Sequence, residues 1–183
     1  MNIISKLAHD LRLTVILPYY RIALSKGEKV LDYGCGDGHV GLRIAKVTGC
    51  KIYGCDVLDF AEGKLPFKII RHNKVDHPEK FFDAVMINHV LHHTPRKEHK
   101  EIVKEAVRLG KRVCIMEDDP SLISLAADKF FNAISHKGIK TPLTQQPVKK
   151  WTRLFNSIGL SYKFIEVKKW YYPFKHYFFV IDS

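Results

Sequence analysis

The stretch from Val30 to Gly38 is a β-strand pattern that runs directly into a glycine-rich turn. An apolar run carries an acid, Asp32, just before Gly34, Gly36 and Gly38, and a helical pattern of apolar residues follows at once. Glycines at such a turn let the backbone bend sharply and let a ligand approach closely. The free N–H groups at the start of the following helix favour an anionic part of that ligand. The stretch therefore predicts a nucleotide-binding unit of strand, loop and helix.

A second strand pattern, residues 51–55, follows the helix and ends at Asp56. A carboxylate roughly 20 residues beyond the glycines is where a βαβ nucleotide site places its acceptor for the ribose hydroxyls. A dinucleotide such as NAD is one candidate ligand. Its Gly-x-Gly-x-x-Gly fingerprint fails when it is started at Gly34, because the position of its third glycine is occupied by His39. The fingerprint matches only from Gly36, which lies late relative to the strand.

Three further stretches complete a pattern that resembles the class I S-adenosylmethionine-dependent methyltransferases, in the version common among enzymes of small molecules. The glycine turn resembles their first motif, and Asp56 their second-strand acid. Residues 82–93 resemble their fourth strand and its following turn, 111–118 their fifth strand, and 151–160 the helix and glycine that precede the sixth. The resemblance covers residues 27 to 182.

The resemblance implies an α/β fold, a doubly wound, Rossmann-like, seven-stranded sheet with helices on both faces and an antiparallel last strand. It implies that residues 27–183 form the methyltransferase domain and that residues 1–26 form an N-terminal helical or lid segment. The apolar run of that segment is expected to break at Pro18, Tyr19 and Tyr20. Short strands or helices are expected over 65–70, 96–109, 121–135, 161–167 and 176–181, with Ser121 as an N-cap and a loop over 136–147.

The implied cofactor is S-adenosylmethionine, and the implied reaction is an in-line displacement of its methyl group. Positioning of the acceptor carries much of such a rate, and a base is needed only if the acceptor loses a proton. The residues expected to bind the cofactor all follow strand ends, at the edge where open α/β sheets bind ligands. They are Asp32, Gly34, Cys35, Gly36, Asp56, Val57, Asn73, Asn88 and His89.

The segment after the third strand departs from the pattern of many relatives. They carry an acid there that contacts the adenine amino group, whereas this chain reads Arg71, His72 and Asn73. The nearest acid is Asp76. Either Asn73 and backbone groups replace the acid, or the adenine pocket is unusual.

Histidines crowd the turn after the fourth strand, at positions 89, 92 and 93. His89 or His92 is expected to act as a general base, with a structural or cofactor-lining role as the alternative. No metal site is predicted, because His-x-x-His-His is not a recognised ligand spacing and no carboxylate partner is obvious nearby in the sequence. The acids at 117, 118 and 119 are expected either to bind a cationic or hydroxyl group of the acceptor or to cap the next helix.

Composition favours a cytoplasmic location but does not identify the methyl acceptor. The four cysteines show no Cys-x-x-Cys spacing, which favours reduced cysteines in a cytoplasmic protein. No apolar run is long enough to span a membrane, and no secretion signal is evident at Met1. The net charge of +11 favours anionic partners such as RNA, whereas the apolar segment 118–147 favours a small, partly hydrophobic acceptor. The alternatives to a small-molecule methyltransferase are an RNA methyltransferase and a noncatalytic binding protein of the same fold, and oligomeric state is not predicted.

Overall fold

The structure, a computed structural model, describes residues 3–135 and 142–182. Within these ranges, seven strands form one sheet with the order β3-β2-β1-β4-β5-β7-β6. All neighbouring strands are parallel except the pairs that β7 makes with β5 and β6. The strands are β1 Lys29–Tyr33, β2 Lys51–Asp56, β3 Phe67–Ile69, β4 Ala84–Asn88, β5 Arg112–Asp118, β6 Tyr162–Val167 and β7 His176–Asp182. The predicted doubly wound sheet with an antiparallel last strand is confirmed.

Helices cover both faces of this sheet, because side chains of the buried central strands alternate between two apolar cores. Leu31 belongs to the core that includes Trp151 and Phe155, whereas its neighbour Val30 belongs to the core that includes Ile16. The helices are α1 Ile3–Ala23, α2 His39–Thr48, α3 His99–Leu109, α4 Leu122–Ser135 and α5 Val148–Ser157. Helices α3 and α5 contribute to the first core, and α1 and α2 to the second.

The expected break at Pro18 is wrong, since α1 continues through this residue to Ala23. A proline inside a helix removes one backbone hydrogen bond and costs about 3 kcal/mol. Leu13, Ile16 and Tyr20 are almost completely buried, and burial of one such side chain contributes roughly 1.5–3 kcal/mol. The Tyr20 ring also meets Phe178 of β7 edge-on, with 5.2 Å between centroids. The packing of α1 on the sheet therefore outweighs the tendency of Pro18 to end the helix.

Smaller differences concern the bounds of elements. The third strand is shorter than expected, and the predicted helix over 96–109 begins as one 3₁₀ turn, Arg96–Glu98, before α3. The N-cap at Ser121 is confirmed, because its Oγ accepts the backbone N–H of Ser124 at 3.0 Å. Of the expected loop, residues 136–141 lie outside the described ranges, and 142–147 have no regular secondary structure.

The four cysteines are buried and form no disulfide. Three of them lie within or beside β2 and the glycine turn, and Cys114 lies in β5. Burial raises the pKa of the Cys114 thiol to about 12. These thiols are therefore packing residues in the reduced form.

Candidate active site

The glycine turn closes against the ends of two neighbouring strands. The N–H groups of Gly34 and Cys35 both donate to the carbonyl of Cys55 in β2, at 2.8 and 3.0 Å. Gly34 has a φ of +78°, and a Cβ there would lie 2.6 Å from a methyl group of Val90. Only glycine lets the turn after β4 pack this closely on the loop.

Asp56, at the end of β2, faces the same loop. One carboxylate oxygen accepts the N–H of Gly36 at 2.8 Å, and the other accepts the N–H of Val57 at 2.7 Å. Gly36 has a φ of +53°, and a Cβ built on it would meet nothing within 4 Å. The loop and the acid thus border one open space, on the side where a ligand would approach.

Asp32 lies behind the loop, near the end of β1. Its side chain is buried, and a Cβ on Gly41 in the first turn of α2 would lie 2.6 Å from its Oδ2. Burial, together with the nearby Asp56 charge, raises the pKa of Asp32 to about 8. Asp32 therefore packs against the first turn of α2, and burial favours its protonated form.

Strand β4 ends beside the glycine turn, since Tyr33 of β1 pairs with Ile87. The next residue, Asn88, has a buried side-chain oxygen with no hydrogen-bond partner among the described residues. His89 then adopts a left-handed φ of +58°, with its N–H bonded to the carbonyl of Met116 at 2.8 Å. A strained, non-glycine backbone of this kind is typical of functional sites.

Two buried pairs of histidine and carboxylate occupy this edge. Nδ1 of His92 lies 2.6 Å from an Oε of Glu117, whose other oxygen accepts the N–H of Leu91 at 2.9 Å. Nδ1 of His89 lies 3.2 Å from Oδ1 of Asp118. The same oxygen is hydrogen-bonded by Nδ1 of His176.

The charge states of this group follow from burial. Desolvation lowers the pKa of His89 to about 3, and the positive charge of Arg12 acts in the same direction, so this imidazole is neutral. Desolvation raises the pKa of Asp118, but the two imidazoles that face it outweigh this and hold its pKa well below the usual range. Asp118 is therefore an ionised carboxylate between two histidines.

The absence of a carboxylate partner for the histidines, expected from the sequence, is wrong. Strands β4 and β5 are parallel neighbours, with Asn88 opposite Met116, so the acids that follow Met116 lie against the histidines that follow Asn88. The role of His176 was also missed, because it is 58 residues from Asp118 along the chain. The antiparallel register of β5 and β7, which pairs Asp118 with His176, is the feature that reveals it.

Two other predicted residues have local partners in the structure. The side-chain amide of Asn73 lies 3.4 Å from a carboxylate oxygen of Glu98, near the start of α3. The Cys35 side chain packs against Gly54 of β2, so Cys35 contributes its backbone to the loop. Val57 is 58% exposed at the edge of the site.

The three acids at the end of β5, Glu117, Asp118 and Asp119, all have partners within the protein. Glu117 and Asp118 face histidines, and Asp119 accepts the hydroxyl of Tyr177 and pairs with Lys175, both at 2.9 Å. Their expected role in holding the acceptor directly stays a prediction. The next helix is capped by Ser121 rather than by these acids.

The sheet order and the loop–acid pair define a class I methyltransferase fold. The family model described as a methyltransferase domain matches residues 7–164. The chain therefore belongs to that family, and the predicted class, methyltransferases that depend on S-adenosylmethionine, is confirmed.

Curated relatives and solved structures agree with this class. The chain is 30% identical to sterol 24-C-methyltransferase of Saccharomyces cerevisiae over 100 residues, 46% of this chain and 26% of that protein. It is 30% identical to 27-O-demethylrifamycin SV methyltransferase of Amycolatopsis mediterranei over 115 residues, 54% of this chain and 38% of the relative. The chain thus spans only about a quarter to two fifths of these relatives.

Among solved structures, the fold is similar to that of magnesium protoporphyrin IX methyltransferase from Synechocystis PCC 6803, solved with bound S-adenosylhomocysteine. The TM-score is 0.69 at 16% identity, and the match covers 100% of this chain and 89% of that one. A likeness at this identity shows a shared fold.

In the part of the chain that the structure describes, no helix is both long and apolar enough to cross a membrane.

Proposed function

We propose that this chain binds S-adenosylmethionine at the carboxyl edge of β1, β2 and β4 and transfers its methyl group to a small-molecule acceptor in the cytoplasm. The observation that carries the proposal is the hydrogen bond of 2.8 Å between Asp56 and the N–H of Gly36. It places the second-strand carboxylate and the glycine loop on one space that a Cβ at Gly36 would enter freely.

Each part of the cofactor has a chemically suitable group at this edge. The Gly34–Gly36 backbone would border the amino-acid part, and Asp56 would accept the ribose hydroxyls. Exposed Val57 supplies an apolar surface for the adenine. The buried Oδ1 of Asn88, which has no hydrogen-bond partner within the described residues, suits the ammonium group, since a hydrogen bond to a charged donor contributes a net gain of about 1.5–3 kcal/mol.

The sulfonium of the cofactor supplies an already activated methyl group. The protein must hold the acceptor in line with it and, for an acceptor that loses a proton, provide a base. His92 suits that role, because its Nδ1 lies 2.6 Å from Glu117, and a carboxylate at Nδ1 orients an imidazole for proton transfer. His89, whose ring centroid is 6.1 Å from that of His92, lies on the same side.

The class of acceptor rests on two lines of support. The curated relatives carry a sterol and a rifamycin derivative in their names, and both are small molecules with large apolar parts. In this chain, Leu122 and Ile123 at the start of α4 are 87% and 60% exposed just beyond the acids of β5. An apolar rim beside the methyl-transfer edge suits an acceptor of that kind.

The cofactor site is tested by calorimetric titration with S-adenosylhomocysteine, with NAD as the control ligand. Asp56→Ala is expected to lose at least about tenfold in affinity, because a charge-assisted hydrogen bond contributes roughly 1.5–3 kcal/mol. Asp182→Ala is the matched control, an exposed aspartate at the opposite end of the sheet, opposite Arg112. Binding of NAD with indifference to S-adenosylhomocysteine would overturn the proposal.

The acceptor is tested with a labelled methyl donor against sterols, other hydrophobic hydroxyl compounds and RNA. RNA is the alternative acceptor favoured by the net charge of +11. Label in RNA, together with RNA binding that weakens steeply with added salt, would replace the small-molecule assignment. Tight cofactor binding with no transfer to any acceptor would favour the noncatalytic alternative.

A further inference from the structure

We infer that His89, Asp118 and His176 form a binding site for one divalent transition-metal ion of the zinc type. One ligand atom from each of these residues lies within 4.8 Å of the other two. Zinc bonds to imidazole and carboxylate ligands are about 2.1 Å long, so one ion needs its ligands within about 4 Å of each other. The widest separation in the triad exceeds that limit by less than about 1 Å. This inference goes beyond methyl transfer, which requires no metal.

Three separate strands deliver the ligands to one point. His89 follows β4, Asp118 ends β5, and His176 begins β7. The ladder fixes their proximity, since Asp118 lies opposite His176 in the antiparallel pair and the N–H of His89 is bonded to Met116 of β5. A ligand set held by sheet registers is preorganised, which lowers the cost of binding an ion.

Hydrogen bonding within the triad does not satisfy all of its nitrogen atoms. Nδ1 of both histidines faces the single oxygen Oδ1 of Asp118. Nδ1 of His89 lies 3.2 Å from that oxygen but makes no hydrogen bond with a described residue, and Nε2 of both histidines is also buried without such a partner. A buried, unsatisfied polar atom costs about 1–3 kcal/mol, so the three side chains are incompletely paired with one another. An ion bound between these atoms would use the Nδ1 lone pair of each imidazole and the carboxylate, and would leave each Nε2 as an N–H donor.

The donor atoms select the class of ion. Two imidazole nitrogens and one carboxylate oxygen suit zinc and its first-row neighbours, whereas magnesium and calcium prefer sites made of oxygen. Three protein ligands leave at least one position open, which is the arrangement of catalytic rather than structural zinc sites. Asp118 is 8% exposed and both histidines less, so the site is enclosed.

Arg12 of α1 contributes a positive charge near His89. Asp118 itself and Glu117, which pairs with His92, contribute two negative charges. An ion held by the triad would lie beside the methyl-transfer edge, where it could polarise an oxygen of the acceptor.

The test is direct metal binding to protein that has been stripped with a chelator. Calorimetric titration with Zn²⁺ is expected to show one site per chain, and Co²⁺ is expected to give the intense visible absorption of a low-coordinate site with nitrogen ligands. His176→Gln and Asp118→Asn should each weaken zinc binding by at least about tenfold. Loss of a residue that only orients a ligand already costs 10–100-fold, so loss of a ligand should cost no less.

His77→Gln is the matched control, because His77 stacks on Phe81 in the loop after β3 and lies outside the triad. It should bind zinc as the wild type does. Binding of S-adenosylhomocysteine by each variant shows that its fold is intact. Absence of a Co²⁺ band in the wild type, or zinc affinity that is unchanged in the triad variants, would overturn the metal site and leave the triad a hydrogen-bonded group.

Discussion

At the scale of single residues, two glycines of one turn serve different ends. A side chain at Gly34 would strike Val90 at 2.6 Å, whereas one at Gly36 would enter open space. Both have a positive φ, which costs an alanine about 1–2 kcal/mol. The first glycine is therefore required by packing, whereas the second leaves open the space that the proposed cofactor site needs.

Alanine substitutions separate these two roles. Gly36→Ala is expected to lower the free energy of unfolding by only about 1–2 kcal/mol and to abolish detectable binding of S-adenosylhomocysteine, since the methyl group occupies the ligand space. Gly34→Ala should cost more stability, about 3 kcal/mol in total, because Val90 must also move. Urea unfolding and calorimetry measure the two effects. Equal binding by Gly36→Ala and wild type would place the cofactor elsewhere.

Asp32 predicts a specific dependence of stability on pH. Its pKa is raised to about 8 in the folded protein, against about 3.9 in an unfolded chain. The folded state therefore binds more protons between these values, and stability falls as pH rises through that window, by up to about 1.4 kcal/mol per pH unit. Asp32→Asn removes the titrating group, so its stability relative to wild type should increase from pH 5 to pH 8. A constant difference across this range would show that Asp32 is ionised when folded.

At the scale of elements, Glu105 joins α3 to the loop between β3 and β4. Its carboxylate is fully buried and accepts Nζ of Lys74 at 2.9 Å and the N–H of Val75 at 3.0 Å. The Arg108 guanidinium pairs with it at 2.7 Å. Desolvation raises the pKa of Glu105, but these hydrogen bonds outweigh it and bring the pKa to about 2.

Removal of the Glu105 charge should weaken the contact between α3 and the loop between β3 and β4. Glu105→Gln is expected to lower the free energy of unfolding by about 1–3 kcal/mol, because it weakens the hydrogen bonds of a buried carboxylate whose cationic partners, Lys74 and Arg108, stay in contact with water. The wild type should lose the same contribution as pH falls from about 5, where the unfolded carboxyl begins to bind protons, to about 2. Urea unfolding from pH 7 to pH 3 measures both. Glu101→Gln, an exposed acid on the same helix, should change stability by less than about 0.5 kcal/mol.

The sequence pattern predicted correctly those features that depend on residues close together in the chain. The glycine turn, Asp56 and the Ser121 cap depend on residues close in sequence or on a fixed βαβ spacing, and the structure has them where the sequence indicated. The helix through Pro18 was not predictable, because it is decided by burial of Tyr20 against a strand near the other end of the chain. The group of His89, Asp118 and His176 was not predicted for the same reason, since only the pairing of β5 with β7 brings His176 next to Asp118.

At the scale of the whole molecule, the cofactor should act as a stabiliser, because its site joins the ends of β1, β2 and β4, which separate on unfolding. A ligand that binds only the folded state adds about 2.7 kcal/mol at 100 times its Kd. For a domain of 183 residues, 1 kcal/mol raises Tm by roughly 2–4 °C. S-adenosylhomocysteine at that excess should therefore raise the Tm of the wild type by about 5–10 °C.

The same thermal measurement on variants shows whether this gain comes from the proposed site. Asp56→Ala should show little increase in Tm at the same ligand concentration, whereas Asp182→Ala should respond as the wild type does. Zn²⁺ bound at His89, Asp118 and His176 should raise Tm independently, because its ligands bridge β4, β5 and β7 instead. The two increases should add when both ligands are present, with each lost only in its own variant. A ligand response that survives in Asp56→Ala would mean that the stabilising contacts lie outside the glycine loop.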